Sequence, residues 1–215
     1  MTEVIKIDPQ EASFKDLTKA AEVLLSGGLV AGPTQSFYAL MALADKPQAI
    51  ERIAALKPGR MAENAYLLLI DQKLRSQCYA AEVSRHASAL MDEFWPGLLT
   101  LLLPGHTGLH PLLLGKSKTV GLRVEGVAAI RRLIRMVDRG VTGTSANPHR
   151  LSPPTTAEEV LNYFPDKLDL VIDAGPTNGG LSSTIVDLTG PTPWIFRKGA
   201  IAVERIASVC PSITA

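Results

Sequence analysis

Small hydroxyl, amide and guanidinium side chains follow three apolar, strand-like runs between residues 141 and 201. An apolar run that ends in Thr, Ser, Asn or Gly places hydrogen-bonding groups at the edge of a sheet, with nothing bulky to block a ligand. Arg123 and Arg197 lie in similar short runs and add fixed positive charge. This combination is typical of a site for a phosphate-bearing ligand rather than for a metal or a hydrophobic molecule.

The segment T-S-A-N-P at 144–148 carries the strongest of these signals. Ser145 and Asn147 are two residues apart, so on an extended segment they point to the same face. Both can donate to a phosphate or read a base or a ribose. The alternative is an Asx or Ser turn before Pro148. The glycine-rich loop at 175–183 matches neither the dinucleotide-binding pattern nor the P-loop pattern.

Three further segments carry polar groups with two interpretations each. The run G-P-T-Q-S at 32–36 is either a capped turn or a lip that binds substrate through Thr34. Lys57 and Arg60 flank a turn that is either an ordinary helix end or, with Asn64, a cradle for a triphosphate. The run F-W-P-G at 94–97 is either a packed helix terminus or part of a ligand site that Thr100, just beyond it, would face.

Composition excludes several other kinds of site. The two cysteines are far apart and the four histidines do not pair at metal-ligand spacing, so we predict no metal site and a reducing cytoplasm. No nucleophile elbow or Cys–His pair is present. The N-terminus lacks the apolar core of a signal peptide, and no run is long enough to span a membrane. The residues therefore favour a site that acts by positioning its substrates and neutralising their charge, as phosphoryl or nucleotidyl transfer requires.

The net charge of +1 provides no global field for nucleic acid. Four arginines nevertheless recur at roughly helical spacing, which indicates a solvated helix face or, alternatively, an RNA-facing patch: Arg131, Arg132, Arg135 and Arg139.

Strand-like and helix-like patterns interleave along the 215 residues, which predicts one α/β domain with a mixed sheet. Apolar runs predict strands at 4–7, 29–31, 38–44, 66–70, 98–103, 119–124, 170–173, 184–188 and 194–197. Helical periodicity and end signals predict helices at 11–25, 47–56, 83–94, 127–137, 156–163 and 202–209. Thr155 or Thr156 is expected to cap the fifth helix.

These segments together, in this order, resemble the YrdC-like family of threonylcarbamoyl-AMP synthases over residues 17–203. The family pattern P-T-E-T-x-Y-G-L is similar to 33–40, K-x-R-P-x-x-N-P-L loosely to 57–65, and W-P-G-x-L-T to 95–100. V-G-x-R-x-P is similar to 120–125, S-A-N to 145–147, S-T-V-V-D to 183–187 and R-x-G-A-I to 197–201.

The resemblance implies a twisted mixed sheet, flanked by helices, around a deep and positively lined cleft. It implies that ATP, L-threonine and bicarbonate give threonylcarbamoyl-adenylate and pyrophosphate for tRNA modification, with Mg²⁺ on the pyrophosphate. Lys57 and Arg60 would be catalytic, Lys57 by neutralising the carbamate or phosphates. Thr34, Arg123 and Ser183 would bind the amino acid. By the same resemblance the nucleotide would be held by Arg60, Asn64, Thr100, Ser145, Asn147 and Arg197.

Departures from the family pattern fall mostly on the amino-acid half of this cleft. Gln35 replaces an acid, Ala39 a glycine, Ala65 a proline and Leu69 a histidine; the Lys-to-Arg gap is one residue longer, and Ser36 replaces threonine. Loss of polar groups that read a zwitterion would weaken its recognition. The alternative is therefore a protein like the YciO branch, which binds a nucleotide or double-stranded RNA without this synthase activity. A third alternative is carbamoyl-adenylate chemistry with another donor, as in hydrogenase-maturation carbamoyltransferases.

Overall fold

The architecture is described from a computed structural model, which covers residues 1–59, 65–114 and 118–214. Its strands are β1 Glu3–Lys6, β2 Val30–Pro33, β3 Tyr38–Met41, β4 Leu68–Ile70, β5 Leu99–Pro104, β6 Thr119–Val124, β7 Val141–Thr142, β8 Thr144–Ser145, β9 Leu170–Asp173, β10 Thr184–Asp187 and β11 Trp194–Arg197. Its helices are α1 Phe14–Leu25, α2 Pro47–Leu56, α3 Arg85–Phe94, α4 Pro111–Leu114, α5 Ala128–Val137, α6 Ala157–Tyr163 and α7 Val203–Val209, with a 3-10 helix at Lys73–Cys78.

The described strands form two mixed sheets rather than the single sheet that we predicted. The five-stranded sheet has the order β1-β9-β2-β3-β8, and the six-stranded sheet has the order β11-β10-β5-β6-β4-β7. Each contains both parallel and antiparallel pairs, so the prediction of an α/β fold with mixed pairing is confirmed. The segment 141–145 joins the sheets, because β7 pairs with β4 in one and β8 pairs with β3 in the other.

Alternation along β5, β6 and β10 gives the six-stranded sheet two different faces. Leu99, Leu101 and Leu103 point into the apolar core, as do Val120 and Leu122. The residues between them belong to the opposite face, since side chains alternate along a strand. That face carries Thr100, Gly121 and Arg123 and lines a cavity.

Helices α1 and α5 pack on one face of the five-stranded sheet. Leu17 and Leu24 of α1, with Ile130, Leu133 and Ile134 of α5, lie in one apolar cluster with strand residues, and all five are completely buried. No helix in the described part of the chain is long and apolar enough to cross a membrane.

Side-chain caps decide where two helices begin. The Ser13 hydroxyl accepts from the Asp16 N–H at 3.3 Å, and the Asp16 carboxylate accepts from the Ser13 N–H at 2.7 Å. This capping box starts α1 at Phe14, later than the predicted 11. Thr156 caps α6 in the same way with Glu159, so of the two caps predicted for this helix, Thr155 and Thr156, the second is confirmed.

Candidate functional site

A cavity of about 630 Å³ lies between the two sheets. Its floor is the polar face of the six-stranded sheet, and its opposite wall comes from the segments 34–39 and 143–150, which include parts of β3 and β8 of the other sheet. Pockets of this size suit ligands from drug-like molecules to nucleotides. The predicted site residues within the described chain all line it: Thr34, Lys57, Thr100, Arg123, Ser145, Asn147, Ser183 and Arg197.

Thr100, Ser183 and Arg197 form one hydrogen-bonded group on the floor. The hydroxyl oxygens of Thr100 and Ser183 are 2.8 Å apart, and both residues are buried. Arg197 donates from Nη2 to the Ser183 carbonyl at 2.9 Å and to its hydroxyl at 3.2 Å. The resemblance assigned Ser183 to the amino acid and the other two to the nucleotide, and the geometry makes all three neighbours in a single cluster.

The electrostatics of the cavity favour an anion. Four cationic side chains line it, Lys57, Arg123, Arg150 and Arg197, against the single carboxylate of Asp187 among the described residues. Burial, and then the nearby Arg123 guanidinium, lower the pKa of Arg197. Two guanidinium groups that repel each other across a cavity become more stable when an anion lies between them.

Arg123 is fixed from behind by a residue that the sequence analysis did not single out. Its Nη2 donates to Oε2 of Glu125, which is completely buried. Glu125 directly follows β6 and donates its N–H to the carbonyl of Ile70 in the neighbouring strand, so alternation puts it on the same face as Arg123. The two-residue spacing from Arg123 was the signal that could have identified Glu125.

Lys57 ends α2 and holds the 145–147 segment in place. Its ammonium donates to the carbonyl of Ser145 at 2.6 Å and to that of Asn147 at 2.5 Å, and the residue is 5% exposed. The Asn147 amide donates in turn to the carbonyls of Pro148 at 3.0 Å and Leu151 at 2.5 Å. Asn147 therefore supports the loop that follows it as well as lining the cavity, but through an amide that donates to carbonyls and not through the side-chain oxygen of an Asx turn.

Thr34 likewise combines a turn with a place in the wall. Its hydroxyl donates to the Phe37 carbonyl at 2.7 Å and accepts from the Ser36 and Phe37 N–H groups, each at 3.4 Å. The segment is thus a capped turn, and Thr34, Ser36 and Phe37 all line the cavity.

The departures from the family pattern divide into two groups. Ala39 and Ala65 line the cavity, but Gln35 and Leu69 are not among the described residues that do so. Leu69 is completely buried in an apolar cluster, and a Cβ at Gly143 would lie 2.6 Å from its Cγ. The expectation that these departures weaken recognition of a zwitterion stays a prediction. Arg60 and Asn64, predicted to be catalytic and nucleotide-binding, lie outside the described residues.

Several lining residues were missed by the sequence analysis. They are Tyr38, His149, Arg150, Asp187 and Phe196. Asp187 lies two residues after Ile185 on β10, and Phe196 lies two residues after the exposed Trp194 on β11. Because side chains alternate along a strand, this spacing could have indicated that both residues lie on the cavity face. The described chain contains no group of three or more His, Cys, Asp or Glu residues that could hold a metal ion.

The four arginines of the α5 region contact other parts of this chain. Arg131 donates to the Glu125 and Gly126 carbonyls at 2.8 and 2.5 Å, and Arg132 lies 5.6 Å from the centre of the Phe14 ring. Arg135 and Arg139 lie within ion-pair distance of Asp71 and Asp45, respectively. This arrangement is a helix face tied to its own protein, so it does not favour an RNA-facing patch.

Comparison with known proteins gives a consistent assignment. The family model Sua5_yciO_yrdC, described as "Telomere recombination", matches residues 22–199. A threonylcarbamoyl-AMP synthase of Pyrococcus abyssi is 33% identical over 99% of this chain, but the chain spans only 62% of that relative.

Two solved structures extend the comparison. P. abyssi Sua5 complexed with L-threonine has a TM-score of 0.92 and 32% identity, covering 99% of this chain and 63% of that one. E. coli YciO has a TM-score of 0.87 and 27% identity, covering 96% of this chain and 100% of that one.

Proposed function

Because the chain belongs to the Sua5–YciO–YrdC family, we propose that it is a threonylcarbamoyl-AMP synthase that uses ATP, bicarbonate and L-threonine. The observation that carries the proposal is the cation-rich cavity between the sheets, whose described lining has four cationic side chains and one carboxylate, with the buried Glu125 pairing with Arg123 from behind. A triphosphate and a carboxylate are the anions that such a cavity would bind. The name of the P. abyssi relative and the L-threonine in the P. abyssi complex support the choice of substrates.

The proposed reaction needs positioning and charge more than a protein nucleophile. The amine of L-threonine forms a C–N bond with the carbon of bicarbonate and water is lost, which gives a carbamate. A carbamate oxygen then attacks the α-phosphorus of ATP. The bond to the β-phosphate oxygen breaks, and pyrophosphate leaves with the electron pair. Arg197 and its hydroxyl partners Thr100 and Ser183 are suited to bind phosphate oxygens, whereas Arg123 is suited to the amino-acid carboxylate.

Lys57, Ser145 and Asn147 would bind the nucleotide from the opposite wall, and Arg60 and Asn64 keep their proposed roles there. Mg²⁺ would arrive with ATP as part of the substrate, since this ion usually binds one or two carboxylates together with phosphates. Asp187 is the lining carboxylate that fits this requirement in the described chain. The product would pass to an enzyme that acts on tRNA.

The direct test is release of pyrophosphate from ATP and bicarbonate, with and without L-threonine. We expect release that depends on L-threonine and that falls at least tenfold in Arg123→Met and Arg197→Met. Arg139→Met is the matched control, because that guanidinium pairs with Asp45 at 2.7 Å outside the cavity. Release without L-threonine dependence would contradict the proposal.

A second candidate is a YciO-like protein that binds a nucleotide without this activity. The observation in its favour is the similarity to E. coli YciO, with a TM-score of 0.87 and 27% identity. ATP binding by calorimetry with no L-threonine-dependent release would favour this candidate. Binding of double-stranded RNA that weakens steeply with salt would favour its RNA-binding form.

A further inference from the structure

Glu125 carries a completely buried carboxylate directly behind the cavity wall. It is not among the described residues that line the cavity. Burying a charge costs free energy unless the charge is paired and hydrogen-bonded. Its contacts therefore indicate what this carboxylate does.

Four donors converge on the Glu125 carboxylate. Oε1 accepts from the backbone N–H groups of Gln35 at 3.1 Å, Gly126 at 2.9 Å and Val127 at 3.2 Å. Oε2 accepts from Nη2 of Arg123. Because the backbone donors belong to two different segments, the carboxylate is held in one orientation and offers Oε2 to Arg123 from a fixed position.

This contact leaves the rest of the Arg123 guanidinium available. Its Nη1 and Nε make no hydrogen bond with the described part of the chain, and Nε is shielded from water. The Arg123 side chain is 5% exposed and lines the cavity. A buried donor without an acceptor is costly, so this guanidinium is a partly satisfied group that an anionic ligand would complete.

Relative to the family pattern, this chain lacks an acidic residue at position 35 and has an additional one at position 125. That pattern has an acid at the position of Gln35 and a proline at the position of Glu125. The two residues are in contact here through the Gln35 N–H. The Gln35 side chain lies over Gly126, where a Cβ would be 1.8 Å from its Cδ, and its buried Oε1 has no hydrogen-bond partner in the described chain.

We propose that Glu125 is a positioning residue that fixes the Arg123 guanidinium for the carboxylate of the amino-acid substrate, and that it replaces the acid which the family pattern has at position 35. Glu125 acts through Arg123 and not by contact with substrate. The departures at Gln35 and Glu125 are then a single change, in which the carboxylate is supplied by position 125 instead of position 35. This inference rests on the proposed function, because it concerns the amino-acid part of the same cavity.

The test compares the KM for L-threonine with the KM for ATP in the pyrophosphate-release assay. Glu125→Gln keeps an oxygen for the backbone donors but removes the charge that holds Arg123. We expect its KM for L-threonine to rise about tenfold while the KM for ATP changes less than about twofold. The double variant Q35E/E125Q, which restores the acid at the other position, should recover most of this loss. A general structural defect would raise both KM values and would not be rescued.

A measurement on the unmodified protein covers the case in which Glu125→Gln does not fold. The shielded Nε–H of Arg123 should give a slowly exchanging signal in ¹⁵N–¹H spectra, and this signal should shift with L-threonine and not with ATP alone. An unchanged KM for L-threonine in Glu125→Gln, or a signal unmoved by bound L-threonine, would overturn the proposal for Glu125 alone. If calorimetry detects no binding of L-threonine or any other amino acid and the signal moves with none, both this inference and the proposed function fail.

Discussion

The buried ammonium of Lys57 offers a quantitative test of how the cavity is built. It joins the end of α2 to residues 145–147 through two carbonyls, those of Ser145 at 2.6 Å and Asn147 at 2.5 Å. Lys57→Met keeps most of the side-chain length and removes both bonds. A hydrogen bond to a charged group contributes about 1.5–3 kcal/mol, and an orphaned buried carbonyl costs about 1–3 kcal/mol.

Part of this loss is offset, because the folded protein no longer has to bury an ammonium group. We therefore expect the free energy of unfolding to fall by about 2–4 kcal/mol in urea denaturation. Hydrogen exchange should rise first at the Ala146 N–H, which donates to the Tyr38 carbonyl at 2.9 Å in the same segment. Lys15→Met, at an exposed position on α1, is the control and should change stability by less than about 0.5 kcal/mol.

An unfolding free energy within about 0.5 kcal/mol of the parent would refute this account of Lys57. So would a loss of stability without faster exchange at Ala146, because the effect would then not act through the 145–147 segment. Loss of pyrophosphate release alone, with stability kept, would make Lys57 a catalytic group only.

Three further substitutions test other parts of the structure. Thr100→Val removes one partner of the 2.8 Å hydrogen bond between the Thr100 and Ser183 hydroxyls. In urea denaturation, a double-mutant cycle with Ser183→Ala should give a coupling free energy of about 1 kcal/mol, and the absence of coupling would contradict the hydrogen-bonded cluster. Leu69→His introduces the family's histidine into an apolar cluster, so it should lower the free energy of unfolding by about 2–4 kcal/mol. It should not lower the KM for L-threonine, and a lower KM would show that position 69 reaches the substrate. Thr156→Ala removes the cap of α6 and should cost about 1 kcal/mol by thermal unfolding, whereas Thr156→Ser should cost much less; equal losses would mean that the hydroxyl is not the cause.

Local patterns predicted elements well where strong end signals flank them. Pro47 begins α2 and three strands, Thr119–Val124, Leu170–Asp173 and Trp194–Arg197, have the predicted bounds. The two-residue strands at 141–142 and 144–145 were missed, because alternation cannot be recognised in so short a run. Those strands join the sheets, which is why one sheet was predicted instead of two.

Pairing between distant segments could not be obtained from periodicity. Strand β1 pairs with β9 in the register Glu3 to Leu170, a contact that no local signal encodes. The arrangement of the site residues also depends on pairing between distant strands, so periodicity could not predict it. The residue types of Thr100, Ser183 and Arg197 indicated binding groups, but only the pairing of β10 with β5 shows that they share one hydrogen-bonded cluster. Glu125 lies two residues after Arg123 in the sequence, but only the fold brings the N–H groups of Gln35 and Val127 to its carboxylate.

The most direct test of the central claim is pyrophosphate release from ATP and bicarbonate by the unmodified protein, with and without L-threonine. We predict release that requires L-threonine and that is lost in Arg197→Met but kept in Arg139→Met. Release at the same rate without L-threonine, or no release although calorimetry shows both ATP and L-threonine bound, would contradict it.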